Sequence, residues 1–144
     1  MHRVRLVSVF VEDKLGELAK TTKVLAAAGV SIRWVTIASG ERYGVIKLLV
    51  DRAETAQSAL AEHGYTVSLN EVLAVEVEDK PGGLAQVAEA LARHKLNVKN
   101  ASGFVIASGR RAVLLIEVDD PEQAQTALKG QHVRLITEAE LVKL

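Results

Sequence analysis

The chain has 144 residues, with 18 basic against 18 acidic residues, no cysteine, and 49% hydrophobic but only 3% aromatic content. This excludes disulfide and thiolate chemistry. It also argues against a nucleic-acid backbone as partner, which needs a basic excess.

Taken in chain order, residues 4–11 are apolar and β-branched and predict a strand. From 16 to 28, Leu18, Thr22, Leu25, Ala26 and Ala28 recur at helical spacing, and Gly29 supplies a stop. Residues 31–38 and 43–51 read as a hairpin around 39–42. A second helix over 53–62 sets Ala53, Ala56 and Leu60 on one side and ends at Gly64, before a short strand over 65–69. After Asn70 and Glu71 the same order returns: strand 72–78, helix 83–94, strands 97–106 and 111–119, helix 121–129, strand 132–136. Pro121 suits the first turn of that last helix, and Asp119 or Asp120 its cap. Residues 138–144 read either as a helical turn or as an added strand.

The chain is thus one unit written twice. Asp13 and Asp79, Gly16 and Gly82, and Leu18 and Leu84 each stand 66 residues apart. By Asp51 and Asp119 the spacing has grown to 68, a slippage expected in the hairpin turns, where both copies read Ala-Ser-Gly. Strand, helix, strand, strand, helix, strand is the ferredoxin-like βαββαβ arrangement. The predicted class is α+β, with domains over 1–70 and 71–144. Both alternations of residues 6–11 and 113–118 are apolar apart from Glu117 and Ser8. The two antiparallel sheets are therefore expected to pack together or against a second chain, and a homodimer is expected.

The most informative stretch joins the first strand to the first helix of each copy. It reads Asp13-Lys14-Leu15-Gly16-Glu17-Leu18 and Asp79-Lys80-Pro81-Gly82-Gly83-Leu84. A strand that turns through Asp-x-x-Gly into a helix aims unpaired N–H groups at one spot, which suits a carboxylate. Asp13, Asp79 and the Asn97 side-chain carbonyl can accept from an ammonium. The alternative is a plain turn with a helix cap.

Here the chain resembles the ACT domain family of small regulatory modules. That family has the βαββαβ fold and a D-x-P-G-x-L motif at this loop; residues 79–84 meet it in full, followed by Leu96-Asn97-Val98. The resemblance covers both copies. It implies a non-catalytic, allosteric regulator that binds a free amino acid between two ACT units, without a cofactor. It places ligand contacts on Asp79, Lys80, Pro81, Gly82, Gly83, Leu84 and Asn97, and in the first copy on Asp13, Lys14, Leu15, Gly16, Glu17, Leu18 and Ser31. Leu15 and Ser31 depart from the family's proline and asparagine, which points to the second loop as the better site.

Little else in the chain suggests chemistry. No P-loop, dinucleotide fingerprint or nucleophile elbow occurs, and His2, His63, His94 and His132 have no metal-ligand spacing. Trp34 reads as a packing residue, Glu76 and Glu78 as a solvated side of their strand, and Arg110-Arg111 as solvated turn charge. No apolar run reaches the ~18 residues of a membrane span. Met1-His2-Arg3-Val4 leads straight into a strand without the layout of a signal peptide, so a cytoplasmic location and no membrane partner are expected. With no catalytic domain in the sequence, output is expected in trans, through a partner enzyme of amino-acid metabolism. A rival reading is a structural regulatory subunit that binds a metabolic enzyme and no small molecule.

Overall fold

The computed structural model describes residues 3–144. They form two compact units, Arg5–Asn70 and Glu71–Leu144, the second taking Arg3 and Val4 as well. The Arg3 guanidinium bonds two acids of that second unit, Glu71 at 2.6 Å and Glu122 at 3.3 Å. His2 lies outside the described residues.

The first unit runs β1 (Arg3–Glu12, mostly within it), α1 (Glu17–Ala27), β2 (Ile32–Ser39), β3 (Tyr43–Val50) and α2 (Ala53–Glu62). β3 lies antiparallel between β2 and β1, with Val9 opposite Ile46 and Ile46 opposite Ile37. Alternation sends Val7, Val9, Val11, Ile46, Leu48 and Val50 to one face. There they pack on Leu25 of α1 and Ala53, Ala56 and Leu60 of α2. Arg52 closes α1 by donating to the carbonyls of Ala28 and Gly29.

The second unit repeats the plan with α3 (Gly83–Arg93), β5 (Val98–Ala107), β6 (Arg111–Val118), α4 (Pro121–Leu128), β7 (Arg134–Ile136) and α5 (Glu138–Leu141). Leu73, Val75 and Val77 pack with Val87, Leu91 and Leu128. Asp120 caps α4, accepting from the Gln123 N–H at 3.1 Å, with Pro121 in the first turn. The tail resolves to a helical turn capped by Thr137. No helix among the described residues is long and apolar enough to cross a membrane.

The structure corrects two expectations. The strands expected over 65–69 and 72–78 are one strand, β4 (Thr66–Glu78), because Asn70 and Glu71 stay extended instead of turning. Arg111 is exposed, as expected, but it is paired with the partly buried Glu76 rather than free in a turn. Arg111 lies in β6, and its Nε donates to Glu76 Oε1 at 3.0 Å across the sheet. Arg134 reaches both Glu76, at 3.5 Å, and Glu140 of α5, at 3.1 Å, so the three charges fasten α5 to its sheet.

Two buried hydroxyls, Ser8 Oγ and Thr21 Oγ1, have no hydrogen-bond partner. Their counterparts in the second unit are Ala74 and Val87, also buried. Because Val is nearly isosteric with Thr, Thr21→Val is expected to raise stability by about 1 kcal/mol, seen as a higher urea midpoint at unchanged slope.

Burial pushes the Glu76 carboxyl up, but Arg111 and Arg134 outweigh it and hold the group below its ordinary value of 4.5. A depressed carboxyl stabilises the fold above its unfolded value, and that contribution disappears as pH falls through the lower folded one. Glu76→Gln is therefore expected to cost about 1–2 kcal/mol at pH 7 and to flatten the acid limb of the stability profile below about pH 4.5.

Candidate functional site

The first loop follows β1 with a tight turn. The Asp13 N–H donates to the Arg42 carbonyl at 2.7 Å, and the Lys14 N–H to the Glu12 carbonyl at 3.0 Å. Gly16 then adopts φ 87°, ψ −1° and opens α1 with no side-chain cap. Nothing in the chain comes within 4 Å of where its Cβ would stand, so glycine is needed here for the positive φ rather than for space. The N–H groups of the first helical turn are left without helical partners, at the positive end of the helix dipole.

The loop and the first turn of α1 border a cavity of about 500 Å³. Asp13, Lys14, Leu15, Gly16, Glu17 and Leu18 all line it, together with Val11, Ile37, Ser39, Gly44 and Ile46 from the strands. Its origin is a gap in the sheet surface. Val11 of β1, Gly44 of β3 and Ser39 of β2 stand in one cross-strand row, and the middle residue has no side chain. The strand residues were not foreseen from the sequence. The one hint was the hairpin slippage, which shortens the first hairpin and brings Ser39 opposite Gly44.

Two acids, Asp13 and Glu17, stand in this loop. Asp13 is exposed. Glu17 is 9% exposed. Its Oε1 lies 3.6 Å from Lys14 Nζ and 3.8 Å from Lys20 Nζ, within ion-pair reach but beyond hydrogen-bond distance. The carboxylates of Glu12 and Glu17 raise the Lys14 ammonium above its ordinary value, Glu12 through a hydrogen bond first of all.

The second loop has the same skeleton, with Gly82 at φ 89°, but its polar groups are engaged within the chain. Asp79 Oδ2 accepts from the Gly109 N–H at 2.7 Å, and the Asp79 N–H donates to the Arg110 carbonyl at 3.1 Å, knotting the loop to the β5–β6 hairpin. The Gly83 N–H donates to the Lys80 carbonyl at 3.1 Å. A Cβ on Gly83 would stand 2.5 Å from the Glu78 carbonyl oxygen, so the loop lies against its own strand at the position where the first copy carries Glu17. The counterparts of Ile37, Gly44 and Ile46, read from strand register, are Gly103, Ala112 and Leu114. Leu114 Cδ2 comes within 3.0 Å of the place a Gly103 Cβ would take, so its side chain covers that ground.

Ser31 and Asn97 are not brought to the loop of their own unit. Each sits just before β2 or β5, past the C-terminal end of an eleven-residue helix. Such a helix is about 16 Å long. Ser31 is held by Asp51, its N–H donating to Oδ1 at 2.9 Å, whereas Asn97 is exposed. His63 and His94 are helix-end residues whose Nδ1 atoms lie 2.8 and 2.9 Å from the Ala59 and Ala90 carbonyls.

A family model described as an ACT domain pair matches residues 2–144. The chain belongs to the ACT domain family. Among solved structures, its ACT pair is similar to protein BT0572 from Bacteroides thetaiotaomicron, at 25% identity and a TM-score of 0.91, covering 99% of this chain and 98% of that one. It is also similar to the ligand-free regulatory subunit of aspartate kinase from Thermus thermophilus, at 21% identity and a TM-score of 0.65, covering 89% and 90%. The corresponding subunit from Thermus flavus matches at 20% identity and a TM-score of 0.60, covering 88% of each chain. Comparison with curated proteins finds no match.

Within the ACT pair, the loop that meets the family motif in full is the one locked onto its own hairpin. Gly83→Ala is expected to destabilise the protein by about 1–3 kcal/mol, because the new methyl meets backbone rather than a movable side chain. A denaturation midpoint equal to that of the unmodified protein would show that the loop yields freely.

Proposed function

We propose that this ACT pair is a non-catalytic regulator that binds a free amino acid at the loop preceding the first helix of an ACT unit. The observation that carries this reading is the cavity in the first unit. In one space it combines free helix amides suited to a carboxylate, acids suited to an ammonium, and an apolar strand surface suited to a side chain. The site is completed by the second strand of a facing ACT unit, and the chain acts as a homodimer, as the family resemblance implies.

Ligand that binds one arrangement of ACT units better than another shifts their population by its differential affinity and by nothing else. A coupling of about 1–3 kcal/mol is the ordinary scale for such regulation. The partner proposed is an enzyme of amino-acid metabolism acted on in trans. The fold is also that of a regulatory subunit of aspartate kinase, which is compatible with control of an enzyme from a separate chain.

The test is a thermal-shift and calorimetric screen against the twenty amino acids at millimolar concentration. At least one is expected to raise the melting temperature, with stabilisation near about 2.7 kcal/mol at a hundredfold excess over Kd. Absence of both heat and shift for all twenty would overturn amino-acid sensing and favour the rival structural subunit that binds an enzyme alone.

A further inference from the structure

We propose that the pocket formed by β4, the β5–β6 turn and the residues leading into β7 binds a phosphoryl group, carried by a small phosphomonoester or present as free phosphate. The site belongs to the second unit alone. It is independent of amino-acid binding at the loop before a first helix.

The pocket measures about 360 Å³. It draws Glu76 and Glu78 from β4, Arg110 and Arg111 from the hairpin, and His132 and Arg134 from β7 and the residues before it. Register sets Arg134 of β7 directly opposite Glu76 and Arg111 of β6 directly opposite Glu78, one on each side of β4. Glu76 forms the floor: its side chain is 17% exposed, against 45% for Arg111 and 54% for Arg134. It accepts from both guanidiniums and so fixes where those two forks stand. Arg110 lines the same pocket and takes no part in the pairs of Glu76. Glu78 is met by Lys80, whose Nζ lies 2.5 Å from Oε2.

Donors outnumber acceptors here. Three guanidiniums carry about fifteen N–H groups, whereas two carboxylates offer about eight acceptor positions, and Lys80 claims part of those. Glu140 takes one more donor, Arg134 Nη1, at 3.1 Å. Arg110, Arg111, Arg134 and Lys80 stand against Glu76, Glu78 and Glu140, so a positive excess remains in a chain of zero net charge. A guanidinium fork grips an oxyanion through two parallel bonds, and a carboxylate is filled by one fork. A phosphoryl group has three terminal oxygens and nearly two charges, so it can use forks that arrive from different strands. His132 adds an N–H donor in either protonation state. The fold does not require this cluster. In the first unit Phe10, Thr66 and Ser68 stand 66 residues before Glu76, His132 and Arg134. The pocket at that place is smaller, about 200 Å³, and is lined by Phe10, Tyr65 and Thr66 and, among the described residues, by no arginine.

The test titrates the full-length protein with inorganic phosphate, glycerol phosphate, glycerol and acetate, followed by calorimetry and heteronuclear NMR. Ionic strength is held constant so that charge screening does not change. Expected is one saturable site per chain for the two phosphates, weaker binding of acetate and none of glycerol. The side-chain Nε–H signals of Arg110, Arg111 and Arg134 are expected to shift, a readout in the unmodified protein that depends on no variant folding. Tighter binding of the ester marks a phosphorylated metabolite as the occupant, and tighter binding of the inorganic ion marks free phosphate; either supports the site. Arg110→Gln is expected to lose about tenfold or more in affinity, whereas Lys23→Gln in α1, which removes the same charge elsewhere, leaves it unchanged. Because Arg110 stands outside the Glu76 pairs, the melting temperature of Arg110→Gln without ligand stays that of the unmodified protein. Acetate binding as tightly as phosphate would overturn the ligand class. The site itself is overturned by the absence of a saturable signal with either phosphate, by shifts that spare the three arginines, or by equal affinities of the two variants.

Discussion

The site depends on a residue at φ near +87° immediately before a helix. Proteins usually close a helix N-terminus with a side-chain oxygen, worth about 1 kcal/mol. This chain does so at α4 with Asp120 and at α5 with Thr137. At α1 and α3 it does not, because Gly16 and Gly82 occupy the cap position in the left-handed conformation. The stabilisation is forgone, and amides remain unsatisfied where the strand delivers the helix. Such an end must find water, neighbouring backbone or a ligand. Which of these it finds is decided by what surrounds each copy.

The two copies resolve that choice differently, although they share one order of elements. In the second unit the loop is satisfied internally: a carboxylate takes a hairpin amide, a helix amide takes a loop carbonyl, and a glycine lies against the preceding strand. In the first unit the same positions carry an exposed Asp13 and a largely buried Glu17 within ion-pair reach of Lys14 and Lys20. The strand surface beneath follows suit. Gly44 leaves a gap in its row, where Ala112 adds a methyl and Leu114 spreads over Gly103. Duplication supplied two equivalent frames, and the side chains made one closed and the other open.

Much of this fold was legible in the sequence, because period and punctuation carry it. The stripe Leu84, Val87, Leu91 marks α3, and Pro121 after Asp120 marks the start of α4. The 66-residue offset then doubled every assignment. What the sequence could not show depended on partners distant along the chain. Asp79 and Gly109 are 30 residues apart, Glu76 and Arg111 are 35 apart, and Glu76 and Arg134 are 58 apart. A carboxylate in a turn reads the same whether a hairpin amide reaches it or a ligand does. Likewise, the loop residues 13–18 could be named as candidates, but the gap over Gly44 exists only once β1, β2 and β3 are in register. Motif agreement pointed to the second loop, whose hydrogen bond to Gly109 no motif records.

Polar groups left over in a folded chain are a stability cost that selection removes unless something retains them. The second unit shows how removal looks here, with Ala74 and Val87 at the positions of Ser8 and Thr21, and Gly83 at the position of Glu17. The two buried hydroxyls have no hydrogen-bond partner, so they are costs of the first unit. Glu17 is different in kind: it is charged, it lines the first-loop cavity, and Lys14 and Lys20 lie within ion-pair reach of it, so it is held by opposite charge rather than left over.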